Sequence, residues 1–477
     1  MIVAQAGVIE ALRAENDVLK ARLGKDSANS STPPSRDHVD RRVRRAKERE
    51  ARKTARIDND GGVARKPGKQ PGSPGSTLQR RTADRQVIHQ PVVCRGCGEN
   101  LAGAPVIGTV TRQVLEIPVP RIDVTDHVVE RRRCLCGCET AGVFPAEATG
   151  WTCWGPRAKA VAAYLMAAQH LPLERCHQAL AVLFDAPIGE GTLAGILPDA
   201  AGRLEPFTDH VAQLLTAEPV VYADETGIHI GAGLGWIHTI ATDTLTLLAY
   251  HRNRGIQAVI DIGILTRYTG IIMHDGLGVY ARPELAGATH AQCGAHLLRH
   301  LTDIGSTWKH TVWTAAMRRV LLDAATASTQ ARNAGLHTVP PIIAAGLRAR
   351  YDQVLTDAFA ALPDGPPPRR RNRGHWTHHD RDAWNLACRF RDQHHQILLL
   401  LDNTRVGFTN NEAERSLRMA KIHDKIAGAF RSTPHAEAFC TLRSYIQTGR
   451  KQGANTLDNL TRLWTTGIPW LPTPNTS

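Results

Sequence analysis

The stretch that most constrains the fold is Pro219-Val220-Val221-Tyr222-Ala223-Asp224-Glu225-Thr226, an apolar, β-branched run that ends in two acids and a threonine. Such a run predicts a buried strand over 220–223. A carboxylate at its end stands where open α/β sheets place their chemistry, at the carboxyl edge. The pattern returns once, in Thr269-Gly270-Ile271-Ile272-Met273-His274-Asp275-Gly276. A third acidic element, Thr409-Asn410-Asn411-Glu412-Ala413-Glu414-Arg415, opens a segment that reads as helix. The expectation is that Asp224, Asp275 and Glu414 meet in space and hold divalent metal.

The chain around these acids supports that expectation. After the first strand, a turn at 231–234 leads to predicted strands over 235–241 and 245–250, an antiparallel meander with short loops. A crossover helix over 255–265 returns the chain to a fourth strand, 270–274, beside the first. A helix over 290–304 follows. Three antiparallel strands, a helix and a further strand is the order of an RNase H-like domain, so the fold class is α/β. The core is expected over 217–306. A basic helical insertion over 307–405, marked by Arg369-Arg370-Arg371 and Arg373, separates it from a catalytic helical part over 406–455 and a tail over 456–477.

Magnesium takes oxygen ligands and keeps waters, so a few carboxylates and a substrate phosphate suffice to hold it. Two such ions activate the attacking oxygen and stabilise the leaving one. Three acids clustered without cations raise one another's pKa. Each acid also has an ordinary reading. Asp224 ends a strand, Asp275 begins an Asp-Gly turn, and Glu414 pairs with Arg418 four residues on. All three at such positions favour the cluster.

The 477 residues suffice for roughly two to four domains. A net charge of +13 points to a polyanionic partner, with nucleic acid first. There is no basic n-region of a signal peptide and no apolar run long enough to span a membrane, so no membrane partner is expected. Five of the ten cysteines crowd into 94–138 and the rest scatter. That pattern predicts a reducing cytoplasm and one metal site rather than a disulfide frame.

The first 25 residues carry a short leucine-zipper-like helix with Ile9, Asn16 and Leu23 seven apart, read either as a dimer seam or as an amphipathic helix docked on its own protein. A basic flexible linker over 26–88 suits phosphate contacts. Residues 89–148 read as a zinc ribbon. Cys94 and Cys97 form one knuckle, and Cys134 and Cys136 the other, because Gly137 then mirrors Gly98; Cys138 is the alternative to Cys136. A helical unit over 150–216 reads as a helix-turn-helix or as a packing layer.

Several segments together resemble the IS66 family of insertion-sequence transposases. They are Tyr222-Ala223-Asp224-Glu225-Thr226, Asp275-Gly276 with Tyr280, Cys293-Gly294-Ala295-His296-Leu297-Leu298-Arg299, and Asn410-Asn411-Glu412-Ala413-Glu414-Arg415-Ser416-Leu417-Arg418. Lys425, Phe430 and Ser432 fit the basic-aromatic stretch that follows, and the amino-terminal half agrees as well. The resemblance implies a DDE transposase that cuts and joins DNA with Mg2+ or Mn2+, alongside a structural Zn2+. Its acids would be Asp224, Asp275 and Glu414, with Glu412 as the second choice for the third. It implies double-stranded DNA partners (element ends and target), a homodimer, element-encoded accessory proteins, and a bacterial cytoplasm with nucleoid association when bound. A non-catalytic DNA-binding regulator and a structure-specific nuclease are the rival readings. The chain departs from the family pattern at Gly294, where a tryptophan is usual, and at Leu297-Leu298, where arginines often stand.

Overall fold

The computed structural model describes residues 78–145, 147–306, 310–363, 365–367 and 378–475. The expected helix over 1–25, the linker up to residue 77 and the arginine run at 369–373 lie outside these residues. The chain divides into two compact units, Met1–Ile117 and Pro118–Ser477.

In the first unit the chain turns tightly at the Cys94 knuckle. The Cys94 N–H donates to the Glu99 carbonyl at 2.8 Å, and the Gly98 N–H to the Cys94 carbonyl at 2.9 Å. Gly98 has φ +79°, a conformation open to glycine and strained for other residues. The second unit opens with a matching turn between β1 (Arg131–Arg133) and β2 (Glu139–Ala141), in which Gly137 has φ +88°. Between the two knuckles, residues 110–118 and 124–133 are rich in β-branched side chains, yet only Arg131–Arg133 forms a strand. Val114 and Val124 stay 87% and 85% exposed. An alternating run makes a strand when one face finds something apolar to cover, and these do not.

Among the described residues, four helices precede the sheet. They are α1 (Pro156–Ala163, continued by a π turn over Tyr164–Ala168), α2 (Leu173–Phe184), α3 (Glu190–Gly202) and α4 (Glu205–Ala217). Pro156 and Pro206 sit in first turns, where the missing N–H costs nothing. Their apolar faces, including Leu180, Leu193, Phe207 and Val211, merge into one core with the sheet.

The sheet holds β3 (Val220–Ile230), β4 (Gly233–Ala241), β5 (Thr246–His251), β6 (Ile271–His274) and β7 (Thr289–Gln292) in the order β5-β4-β3-β6-β7. Strands β3, β4 and β5 are antiparallel neighbours, whereas β6 and β7 run parallel to β3. The crossover helix is α5 (Ile256–Ile262).

Two expectations need correction. The first strand does not stop at residue 223. It runs to Ile230, because β4 stays paired with it through Gly233 while β6 leaves it after Tyr222. The segment from residue 290 is not helical at its start either. Thr289–Gln292 is a fifth strand that pairs with β6, and α6 begins at Gly294 (Gly294–Gly305). The Thr-His-Ala-Gln run has little strand character of its own, and pairing with β6 imposes it.

Alternation along the strands sorts their side chains between two faces. Val221, Ala223, Ile240 and Ile272 join the core shared with α1–α4. Met273 and Ala291 face a second core built by α6 and the helical insertion, α7 (Thr311–Asn333), α8 (Pro341–Ala360), α9 (His378–Asp392), α10 (His394–Ile397) and α11 (Leu399–Asp402). Ile228, Ile237 and Leu248 face a third, with α12 (Asn411–Ile426) and α13 (Thr433–Lys451). Helix α14 (Thr456–Thr465) closes the first core with Leu460 and Leu463. No helix among the described residues is long and apolar enough to cross a membrane.

Helix α13 also protects the open edge of β5. The Thr246 N–H donates to Thr448 Oγ1 at 3.0 Å and the Leu248 N–H to Ser444 Oγ at 2.8 Å. An unpaired buried N–H costs about 1–3 kcal/mol. Ser444→Ala and Thr448→Val should therefore each lower stability by about that amount in urea titration. A change near zero for both would show that the edge is satisfied another way.

Candidate active site

The two adjacent acids on β3 meet different fates. Glu225 turns to the face shared with α1–α4 and is neutralised there. Its Oε1 accepts from Arg254 Nε at 2.9 Å, and its Oε2 from the Tyr280 hydroxyl at 3.2 Å. Asp224 points to the opposite face. Its Oδ1 accepts only the Glu225 N–H, at 2.8 Å, among the described contacts.

Asp275 follows β6 directly. Its Oδ1 accepts from the Leu277 N–H at 2.8 Å, and its carbonyl accepts from Arg389 Nη2 at 2.8 Å. Arg389 stands on α9, in the insertion, and its Nε also donates to Gln292 Oε1 at 2.8 Å. Gly276 has φ +86°, and a Cβ there would overlap the Arg389 guanidinium. The glycine thus serves both the turn and the clamp. Arg389 is the functional residue that sequence reasoning missed. The only signal of it was the glycine after Asp275.

Glu414 is the fourth residue of α12, and its N–H donates to the Asn410 carbonyl at 3.1 Å. Its Oε1 is buried and has no hydrogen-bond partner. That oxygen lies 3.5 Å from both His296 Nδ1 and Arg299 Nη2. Asn410 fixes the start of this helix. Its Nδ2 donates to the Ala223 carbonyl at 2.9 Å, and its N–H to Cys293 Sγ at 3.2 Å.

Asp224 senses the other two acids. Burial pushes the Asp224 carboxyl up to about 7, aided by the charge of Glu225 and then by those of Asp275 and Glu414, against the Glu225 amide that holds it down. The half-buried Asp224 carboxyl and the orphaned Glu414 oxygen are donors of the kind a hard divalent cation takes, and such a cation would relieve the repulsion on Asp224. Glu412 is occupied elsewhere. It pairs with Arg415 at 3.1 Å and with Lys451 at 3.4 Å.

The histidines near this edge differ in role. His274 is buried, stacks on Tyr280 with ring centroids 4.3 Å apart, and accepts from the Gly276 N–H at 2.9 Å. Burial lowers it to about 3, so it is neutral and structural. His229 is exposed and lies 3.5 Å from Asp424. His296 alone reaches the acids. Leu297 is fully buried in the insertion core, and a Cβ on Gly294 would already overlap the Phe408 ring. The chain's two departures at 294 and 297 are therefore packing changes.

One thiol in each cysteine knuckle, taken by itself, is held below its ordinary range. Amides of Cys97 and Gly96 lower the Cys94 thiol, and the amide of Cys138 lowers that of Cys136.

The raised Asp224 carboxyl has a signed consequence. A folded-state pKa above the unfolded value means that the folded protein holds the proton more tightly. Stability of the metal-free protein should fall as pH rises from about 4 to about 7. Asp224→Asn should remove that part of the fall and be more stable than the parent at pH 8, by on the order of a few kcal/mol. Urea titrations at pH 5 and pH 8 test this, and parallel curves for the two proteins would contradict it.

Comparison with known proteins adds one finding. The model of a family described as "Transposase IS66 family" matches residues 152–438. No curated protein matches the chain. The matched span covers more than half of the chain and contains the sheet, the insertion and all three acids. The chain belongs to the IS66 family of transposases.

Proposed function

We propose that this protein is a DDE transposase, built on an RNase H-like core, that cleaves and joins DNA at the ends of an insertion sequence. The observation that carries the reading is that Asp275 and Glu414 stand close enough to Asp224 for their charges to act on its carboxyl. The strand order β5-β4-β3-β6-β7, with three antiparallel strands and two parallel to the first, supports the RNase H-like assignment. Membership of the family supports DNA as the substrate.

Asp224, Asp275 and Glu414 would hold Mg2+ or Mn2+. Such ions supply Lewis-acid activation of the attacking oxygen and neutralise charge on the leaving one. The protein's own residues set the geometry. Asn410 pins the Glu414 helix to β3, and Arg389 pins the Asp275 turn from the insertion side. Water attacks first and a freed 3′-hydroxyl second, so no serine or tyrosine nucleophile is needed. The open face of α12 extends the site. Arg418, Lys421 and Lys425 follow Glu414 at four, seven and eleven residues, which places them on one helix face, and all three are exposed. That stripe suits a phosphate backbone leading to the acids. A second copy of the chain and accessory proteins complete the expected assembly. Cys94, Cys97, Cys134 and Cys136, with Cys138 as the alternative to Cys136, would hold the structural Zn2+.

Asp224→Asn should abolish magnesium-dependent cleavage of end DNA while retaining DNA binding; cleavage by that variant would refute the assignment. Glu414→Ala should lose cleavage and Glu412→Ala retain most of it, since Glu412 is engaged by Lys451 and Arg415. Cutting without joining by the parent protein would favour a nuclease. The pair Lys421→Ala and Lys425→Ala should weaken binding to any DNA sequence and reduce the slope of log K against log salt by about 2. An unchanged slope would remove α12 from the interface.

A further inference from the structure

We propose that Cys293, His296 and Glu414 form a second metal site, selective for a thiophilic divalent cation such as zinc, which shares Glu414 with the acid cluster. One sulfur, one ring nitrogen and one carboxylate oxygen lie within 4.8 Å of one another here. His296 Nδ1 and Glu414 Oε1 are 3.5 Å apart. Two ligands of a tetrahedral zinc with bonds near 2.1 Å are separated by about 3.4 Å. Both atoms are buried, and neither has a hydrogen-bond partner. Arg299 Nη2, 3.5 Å from the same Glu414 oxygen, offsets its charge in the metal-free protein, and a cation bridging Nδ1 and Oε1 would take its place.

The sulfur is placed for the same role. Cys293 is the N-cap of α6, a helix of twelve residues, and burial holds its thiol above the usual range against the pull of the neighbouring amides, so the bound cation would have to draw off the proton. The Asn410 N–H points at its sulfur at 3.2 Å. His296 follows three residues later on the same helix face. Binding removes the thiol proton to solvent. It also requires Arg299, whose Nη2 lies 3.0 Å from His296 Nε2, to give up that contact so that Nε2 carries the ring proton. Arg299 is 58% exposed and can swing into water.

Donor type sets the selectivity. A thiolate and an imidazole suit zinc or cobalt and are poor ligands for magnesium. Three protein ligands leave a fourth position open. Because Glu414 cannot serve both sites in full, occupation here would withdraw it from Asp224 and Asp275. Zinc should then inhibit cleavage supported by magnesium. That consequence rests on the role proposed above for Glu414, whereas binding itself does not.

The test is a Co2+ titration of the full-length protein, read by thiolate-to-cobalt absorption, beside Cys293→Ala, His296→Gln and Asp224→Asn. The knuckle cysteines are unchanged in all four proteins, so differences report this site. We expect Cys293→Ala and His296→Gln each to bind one equivalent of thiolate-ligated cobalt fewer than the parent, and Asp224→Asn to keep the parent's thiolate-to-cobalt absorption. Equal thiolate-to-cobalt absorption in the parent, Cys293→Ala and His296→Gln, with folding verified by circular dichroism, overturns the site. Loss of that absorption in Asp224→Asn overturns it too, by placing the ion among the oxygens instead. Should the equivalents behave as expected while zinc leaves cleavage unaffected, the site stands and the assignment of Glu414 to catalysis is what fails.

Discussion

One side chain ties together segments that the chain keeps far apart. Asn410 donates to the carbonyl just before Asp224, its N–H reaches Cys293, and its own carbonyl receives the Glu414 amide. It is fully buried, so these contacts are made away from competing water. Among the described residues, no other hydrogen bond joins the start of α12 to β3 at the level of the acids. The geometry of the site therefore depends on one amide more than on any carboxylate.

Around that tie, electrostatics are arranged by strand alternation. Consecutive acids on β3 fall on opposite faces, so one is compensated by Arg254 and Tyr280 and the other is left to accumulate charge with its neighbours. The insertion takes part through Arg389, which holds the Asp275 turn by a main-chain carbonyl. A guanidinium on the backbone steadies the loop and leaves both carboxylate oxygens outside the clamp. The helical insertion is thus a wall of the site as well as a spacer within the chain.

Much of this was legible in the sequence because the signals were local. β-Branched runs marked β3 and β6, and glycines marked the turns at 231 and 276, whereas Gly263 ends a helix expected to run on to 265. What escaped was set by distant partners. β7 is a strand only because β6 offers it an edge, and β3 is long only because β4 follows it. Arg389 looks like any charge in an amphipathic helix until Gly276 is placed against it. The opposed fates of Glu412 and Glu414 likewise needed coordinates, since two residues on a helix point roughly 200° apart but nothing in the text says which side faces the sheet.

The edge of β5 is closed by hydroxyls on α13, which lies nearly two hundred residues further along the chain. A ribosome makes the whole sheet well before it makes that cover. During translation the nascent sheet therefore carries an open margin able to recruit strands from other chains. Chaperone shelter through the insertion, or slow docking of the carboxy-terminal helices after release, follows from where Ser444 and Thr448 stand. Any frameshift or nick ahead of α13 leaves a sticky fragment rather than a smaller soluble domain.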